Sequence, residues 1–169
     1  MRKEIWGIAI AAPLLASQVA SAATVKPDSF LCEGEFEVSL PAREGWTQDG
    51  GELLMKVAQN SVVFAQGQMK MAQAMGDLAQ RDEQIQSARF RNSGGAYAAR
   101  AGAAQADQQA GSEKLAKFQR MVSTCAASGA QPLPAEVLER KAISGLSKVR
   151  TTFNGAPADL WIRNKDLLE

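Results

Sequence analysis

The most informative feature of this 169-residue chain is an absence, because it contains no histidine. Ser-His-Asp and Cys-His catalysis, histidine-ligated zinc and the usual general base near neutral pH are therefore excluded. The sequence also lacks a Ser-x-x-Lys motif, a P-loop, a GxGxxG motif and an EF-hand loop. The pairs Glu35/Glu37 and Asp82/Glu83 could act only if a cleft enclosed them, and solvated carboxylates are far commoner. We expect no enzyme and no cofactor.

Cysteine is nearly as scarce, since the chain has only Cys32 and Cys125. No CxxC spacing occurs, so a reactive thiol pair is disfavoured. In an exported protein a lone pair of cysteines normally forms a disulfide. We therefore predict a bridge between Cys32 and Cys125.

Long apolar runs are absent outside the N-terminus. Arg2 and Lys3 precede a mostly apolar run over residues 5–16, and the small residues of 20–22 follow. This pattern is typical of a signal peptide over residues 1–22, with cleavage after Ala22 or Ala23. The apolar run is shorter than the ~20 residues of a membrane span, although an uncleaved anchor is the alternative. We expect a periplasmic or secreted protein with no stable membrane span after cleavage.

Excess charge of either sign is also lacking, with 19 basic and 18 acidic residues. A balanced chain has no general electrostatic attraction to nucleic acid, and we expect none to be bound. Residues 28–52 carry seven acids and one base, Arg43. A solvated acidic face explains this stretch better than a cation site or a site for a basic partner.

The middle of the chain has helical periodicity. Apolar residues at Met71, Met75, Leu78 and Ile85 are spaced three and four apart, which predicts an amphipathic helix ended by the breakers at 91–95. A second helix ends on the same spacing, at Leu115, Phe118, Val122 and Cys125. We predict an antiparallel hairpin whose thin apolar stripes pair with each other or with a partner helix. Its methionines could bind copper(I), but packing is the more ordinary role.

The flanking segments have β character. Residues 36–40 alternate in polarity, residues 52–59 and 62–67 read as short strands around a polar turn, and residues 135–142 fit either a strand or a helical turn. Residues 148–153 and 158–162 flank the turn dipeptide Asn154-Gly155. We expect a hairpin there with a connection longer than two residues.

The C-terminal pattern resembles that of bacterial SH3-like domains, which are small β-barrels common in envelope proteins. It consists of Gly145, Lys148-Val149-Arg150, Asn154-Gly155, Leu160-Trp161-Ile162 and Leu167. Residues 36–67 resemble the first half of such domains. The aromatic residue that usually precedes the Lys-Val-Arg run is missing here. The resemblance implies an α+β protein: residues 23–67 form the first half of a barrel, residues 68–127 the inserted hairpin and residues 128–169 the second half.

These features together predict a non-enzymatic, exported cell-envelope module that binds a protein partner or peptidoglycan. The alternative is an accessory structural subunit of a secretion or conjugation apparatus, assembled through the helical hairpin. The sequence leaves the oligomeric state open. Candidate partner-binding residues are the basic and aromatic group near the hairpin tip and two indoles on the barrel: Arg89, Arg91, Tyr97, Arg100, Trp46 and Trp161.

Overall fold

The structure, a computed structural model, describes residues 21–89 and 94–168, with the side chains of residues 86–98 left aside. The elements in chain order are β1 (Ser21–Val25), β2 (Phe30–Cys32), α1 (Glu35–Arg43), α2 (Gly51–Arg89), α3 (Gly94–Thr124), β3 (Cys125–Ala127), β4 (Leu133–Lys141), β5 (Leu146–Phe153), β6 (Ala156–Arg163) and β7 (Leu167–Leu168). A 3₁₀ turn, Asn164–Asp166, precedes β7. The predicted α+β class is confirmed.

All the strands join one antiparallel sheet in the order β3-β2-β6-β5-β4-β1-β7, curled into a half-barrel. Strands β1 and β2 precede the long helices, and the other five follow them. The register of β4 against β5 shifts between Val137 and Glu139. Such an irregularity increases local twist, which favours the curl of the sheet. Residues 135–142, left open by the sequence, lie almost wholly within strand β4.

The β5–β6 hairpin is tighter than predicted. Phe153 pairs directly with Ala156, so the connection is the two residues Asn154 and Gly155, with φ angles of 53° and 81°. Positive φ at both positions is the type I′ geometry that Asn-Gly favours. The prediction of a connection longer than two residues was wrong because Pro157 is part of strand β6. It pairs with Thr152, next to the closing pair, where its missing N–H faces away from β5.

Three predicted strands are helices instead. Residues 36–40 lie in α1, and residues 52–59 and 62–67 lie in α2. The alternation over residues 36–40 is too short to separate the two periods, and acids in the first turn of α1 suit a helix N-terminus. In α2 the buried positions Leu54, Ala58 and Ala65 recur at helical spacing. From Ser21 to the start of α2, the chain therefore contributes β1 and β2 to the sheet.

Two consecutive glycines allow α2 to begin against strand β2. The backbone N–H of Glu52 donates to the carboxylate of Asp28 at 2.7 Å, which satisfies a donor of the first helical turn. A Cβ on Gly50 would lie 2.2 Å from that carboxylate, and a Cβ on Gly51 would lie 2.6 Å from the carbonyl oxygen of Ser29. Gly50 and Gly51 therefore fit here because the chain passes so close to Asp28 and Ser29 that a side chain would collide with them.

The predicted disulfide between Cys32 and Cys125 is present, and it joins β2 to β3 at directly paired positions. The two cysteines are 93 residues apart, and both long helices lie between them. Strand β3 begins where α3 ends, so the bridge fixes the base of the hairpin to the sheet.

Two buried clusters lie on opposite faces of the sheet, because successive strand residues point to opposite sides. Trp161 belongs to one cluster, whereas its neighbours Leu160 and Ile162 belong to the other. The hairpin-base cluster packs the sheet against α1 and the lower turns of α2 and α3: Phe30, Cys32, Val38, Leu40, Leu54, Ala58, Phe118, Met121, Cys125, Leu146 and Trp161. The sheet cluster contains Ala23, Val25, Leu31, Val149, Leu160, Ile162 and Leu167.

The predicted signal peptide falls mostly outside the described residues, which begin at Ser21. Ser21 and Ala22 pair with Val137 and Glu136 in the sheet. The predicted cleavage point therefore lies within β1, and processing after Ala22 would leave three residues of that strand.

Candidate interaction surface

Small residues form the contact between α2 and α3. Ala65, Ala79 and Gly111 are buried in this antiparallel pair. A Cβ on Gly76 would lie 3.7 Å from the Cβ of Ala104, and a Cβ on Gly111 only 2.9 Å from Met69. Side chains this small let two helices approach closely. Of the two alternatives that the sequence left open for the stripe of α2, pairing with α3 is therefore not observed, and pairing with a partner helix stays a prediction.

The larger apolar side chains of α2 face solvent instead. We call the following five residues the apolar row: Phe64, Met71, Met75, Leu78 and Ile85. Their exposed fractions range from 52 % to 68 %. Phe64, Met71, Leu78 and Ile85 are seven residues apart, so they follow one side of the helix for about 32 Å. Contiguous exposed apolar surface of this kind marks interaction sites in soluble proteins.

The apolar row borders an open groove of about 820 Å³ between α2 and α3. Met71, Met75 and Leu78 line it from α2, with Gln68 and Asp82 among them. The α3 side carries small residues and, at intervals of seven, the charged residues Arg100, Asp107 and Lys114. An apolar wall facing a charged, small-residue wall is the shape that accepts one further helix.

Helix α2 has two apolar sides, which is typical of helices in a bundle. Ala58, Ala65 and Ala79 face α3 or the hairpin-base cluster, and the apolar row lies on the adjacent side of α2. A helix that packs on a single neighbour needs only one apolar stripe. The second stripe of α2 therefore has the pattern of a helix with two neighbours.

The two predicted indoles lie in the hairpin-base cluster. Trp161 is 9 % exposed, and the ammonium of Lys141 lies 4.8 Å from the centre of its ring. Trp46 is half-buried and stacks on Phe118, with 5.8 Å between ring centres. The structure thus brings both tryptophans into the same packed region at the base of the hairpin, and neither lines the groove. Their role in partner binding stays a prediction.

The predicted tip residues are only partly described. Arg91 lies outside the described residues, as do the side chains of Arg89 and Tyr97. Arg100 is exposed and lines the groove. Helix α2 ends at Arg89 and α3 begins at Gly94, so Arg89 is the last residue of α2, and Tyr97 and Arg100 lie in the first two turns of α3.

Two polar contacts fix the loop before α2 and helix α1. The ammonium of Lys165 donates to the carboxylate of Asp49 and lowers the pKa of that carboxyl, and Arg163 lies 3.2 Å from the same oxygen. Lys141 pairs with Glu35 at 2.5 Å, and this hydrogen bond raises the pKa of the lysine. Both pairs tie the first part of the chain to the last strands.

Glu37 is a buried carboxylate on the helical side of the sheet. It is 2 % exposed, and its Oε1 lies 2.7 Å from Nε of Arg120 on α3 without the alignment of a hydrogen bond. A Cβ on Gly34 would lie 1.9 Å from Oε2 of the same side chain. Glu37 therefore packs back against the start of α1 and faces α3, in a structural position rather than in an open cleft.

A smaller cleft of about 580 Å³ opens where β6 diverges from β2. The two strands pair only at Cys32 and Trp161, so the earlier part of β6 has no β2 partner. Leu31, Phe153 and Leu160 supply apolar walls, and Glu33 and Asp159 supply charge. Hydrogen bonding from Arg150 lowers the pKa of Asp159 at this edge.

Within residues 21–89 and 94–168, no cluster of three His, Cys, Asp or Glu side chains could hold a metal ion. The same part of the chain has no helix that is long and apolar enough to cross a membrane.

Comparison of the chain with known protein families, with curated proteins and with solved structures finds no match.

Proposed function

We propose that this protein is a non-enzymatic, exported module of the cell envelope that binds a protein partner through its helical hairpin. The apolar row on α2 carries the proposal, since five large apolar side chains lie exposed along one side of a helix. Covering such a row gains about 25 cal/mol for each Å² of apolar surface removed from water. A chain that only needed to be soluble would gain by having polar residues there.

Export is supported by the N-terminal sequence and is consistent with the disulfide. A basic start, a short apolar run and small residues at 20–22 form the signal-peptide pattern. The bridge between Cys32 and Cys125 suits an oxidising compartment such as the periplasm.

We propose further that the curled sheet is an SH3-like half-barrel into which the hairpin is inserted. The residues of the C-terminal pattern support this: Val149, Leu160 and Ile162 are buried in the sheet cluster, and Asn154-Gly155 forms the turn. The second candidate ligand, peptidoglycan, would use the cleft beside β6, where apolar and charged side chains lie together. The alternative function, an accessory subunit of a secretion or conjugation apparatus, uses the same hairpin surface for assembly.

The test replaces Met71 and Leu78 together by Ser and measures capture of partners from an envelope extract. Both side chains are more than half exposed, so the fold should persist. The matched control is Val63→Ser, which removes an exposed apolar residue from another side of the same helix. We expect the double variant to lose capture and the control to keep it. Equal capture by all three proteins would reject the hairpin as the binding surface, and co-sedimentation with purified peptidoglycan would then test the cleft.

A further inference from the structure

We infer that the apolar row binds the same row of a second copy of this chain, which forms an antiparallel, two-fold symmetric four-helix bundle. This inference rests on the proposed function, because it assigns a first partner to the surface proposed there. Its evidence is the spacing of the apolar and charged residues along α2 and α3.

The apolar row is symmetric about its own centre. Phe64, Met71, Leu78 and Ile85 are centred between residues 74 and 75. A second set lies beside these residues, each four positions after one of them, and is centred on Met75: Gln68, Met75 and Asp82. An isologous contact requires a surface that matches itself after a two-fold rotation. With the axis at Met75, an antiparallel second copy places every apolar residue of the row against another apolar residue.

The pairs that result are specific. Phe64 meets Ile85 of the second copy, and Met71 meets Leu78 of the second copy. Met75 meets its own equivalent at the axis. Gln68 meets Asp82 of the second copy, so the two polar positions of the row also face each other. Antiparallel helices with apolar residues seven apart form this kind of contact by knobs-into-holes packing.

One charged residue on the groove wall, Lys114, fits the same axis. Gly76 lies beside Ala104 and Met69 beside Gly111, so Lys114 lies level with residue 66 of α2. The two-fold axis brings Asp82 of the second copy opposite residue 68, about 3 Å along the helix from this level and within reach of a lysine side chain. Asp82 and Lys114 both line the groove, and neither is in an ion pair with another residue among the described side chains. The dimer would contain two such pairs at the rim, which fix the register.

The surface is also large enough. The row is about 32 Å long, and two helices side by side are about 20 Å wide. The contact would thus cover on the order of 600 Å² of projected area, near the ~800 Å² that each partner buries in a standard interface.

The first experiment measures mass and cross-linking of the purified, oxidised protein. We expect a dimer in solution by light scattering at micromolar concentration, and a monomer for Met75→Glu, which sets two carboxylates at the axis. Val63→Glu should stay dimeric. Met75→Cys should cross-link to a covalent dimer with a short bismaleimide, and Val63→Cys should not, because residue 63 lies about 18 Å along the helix from the axis. Cys32 and Cys125 do not react with the reagent because they are bridged. Far-UV circular dichroism checks that each variant is helical.

The second experiment tests the register by charge reversal. Asp82→Lys and Lys114→Asp should each weaken dimerisation by about tenfold, and the double reversal should restore it. A monomeric wild-type protein would overturn the inference, and so would a dimer that Met75→Glu leaves intact. If a monomer captures another envelope protein through the row, the inference fails while the proposed function stands. If the protein dimerises through the row but captures no other protein, the inference stands and the role in binding other proteins fails.

Discussion

The two halves of the hairpin differ in what their apolar residues do. Near the sheet, Leu54, Phe118 and Met121 are at most 7 % exposed and belong to the hairpin-base cluster. Farther out, α2 and α3 touch through alanine and glycine, and Met71, Met75 and Leu78 face solvent. The same helices are therefore part of the core at one end and an unpaired surface at the other. The difference teaches that one helix can contribute to the core over part of its length and leave large apolar side chains exposed over the rest.

The largest effect should come from the disulfide, which fixes the hairpin base. Replacing Cys32 and Cys125 together by Ser should lower the free energy of unfolding by about 4 kcal/mol, because a bridge across a loop of this length strongly restricts the unfolded chain. Chemical denaturation of the oxidised protein and of the variant measures the loss. A variant as stable as the parent protein would show that the base needs no covalent tie.

A buried residue and a row residue should differ sharply. Ile162 is fully buried, whereas Leu78 is 57 % exposed. Ile162→Ala should cost about 3 kcal/mol through lost transfer energy and a cavity. Leu78→Ala should change stability by less than about 0.5 kcal/mol in the monomer. Equal losses in urea titrations at low protein concentration would contradict the division of the molecule into a core and an unpaired surface.

The residues around the helix connection should affect binding and not stability. Changing Arg89, Arg91, Tyr97 and Arg100 to Ser and Ala should leave the melting temperature unchanged and weaken partner capture, since Arg and Tyr are frequent energetic anchors at interfaces. Thermal melts and capture from envelope extract are measured on the same preparation. Unchanged capture would direct attention to Trp46 and Trp161.

The smallest effect should come from the Asp49 carboxylate, and it should disappear in acid. Lys165 lowers the folded-state pKa of Asp49, so the stability from this contact is fully present above the unfolded pKa, about 4. It is lost as pH falls through the lower folded pKa. Asp49→Asn should therefore remove less than about 1 kcal/mol at pH 7 and almost nothing at pH 2. If the loss of stability in Asp49→Asn grew as pH fell, the pKa of Asp49 would be raised by folding, which would contradict this prediction.

The sequence predicted the elements whose signals are local. Asn154-Gly155 between alternating runs predicted the last hairpin, and a lone cysteine pair predicted the bridge. The spacing of Met71, Met75 and Leu78 predicted the helix, although not the side of it that faces α3. Alanine and glycine made that contact difficult to predict, because Ala65, Ala79 and Gly111 carry almost no periodic hydrophobic signal.

The errors came from patterns that fit two structures. Residues 36–40 alternate for too few positions to distinguish a strand from a helix. Asn60 and Ser61 looked like a turn, but the side chain of Ser61 bonds to the carbonyl of Val57 within α2. The sequence left the role of the apolar row open for a different reason: a stripe in sequence does not tell whether the chain or a partner covers it.

The most direct measurement uses a shortened hairpin. Replacing residues 70–110 by a short Gly/Ser turn removes most of the row, whereas deleting residues 68–126 would also remove Phe118 and Met121 from the hairpin-base cluster. We expect the shortened protein to unfold cooperatively, with a free energy of unfolding within about 1 kcal/mol of the monomeric Met75→Glu protein, and to be monomeric and unable to capture a partner. Loss of cooperative unfolding, or dimerisation and capture that survive the deletion, would contradict the account.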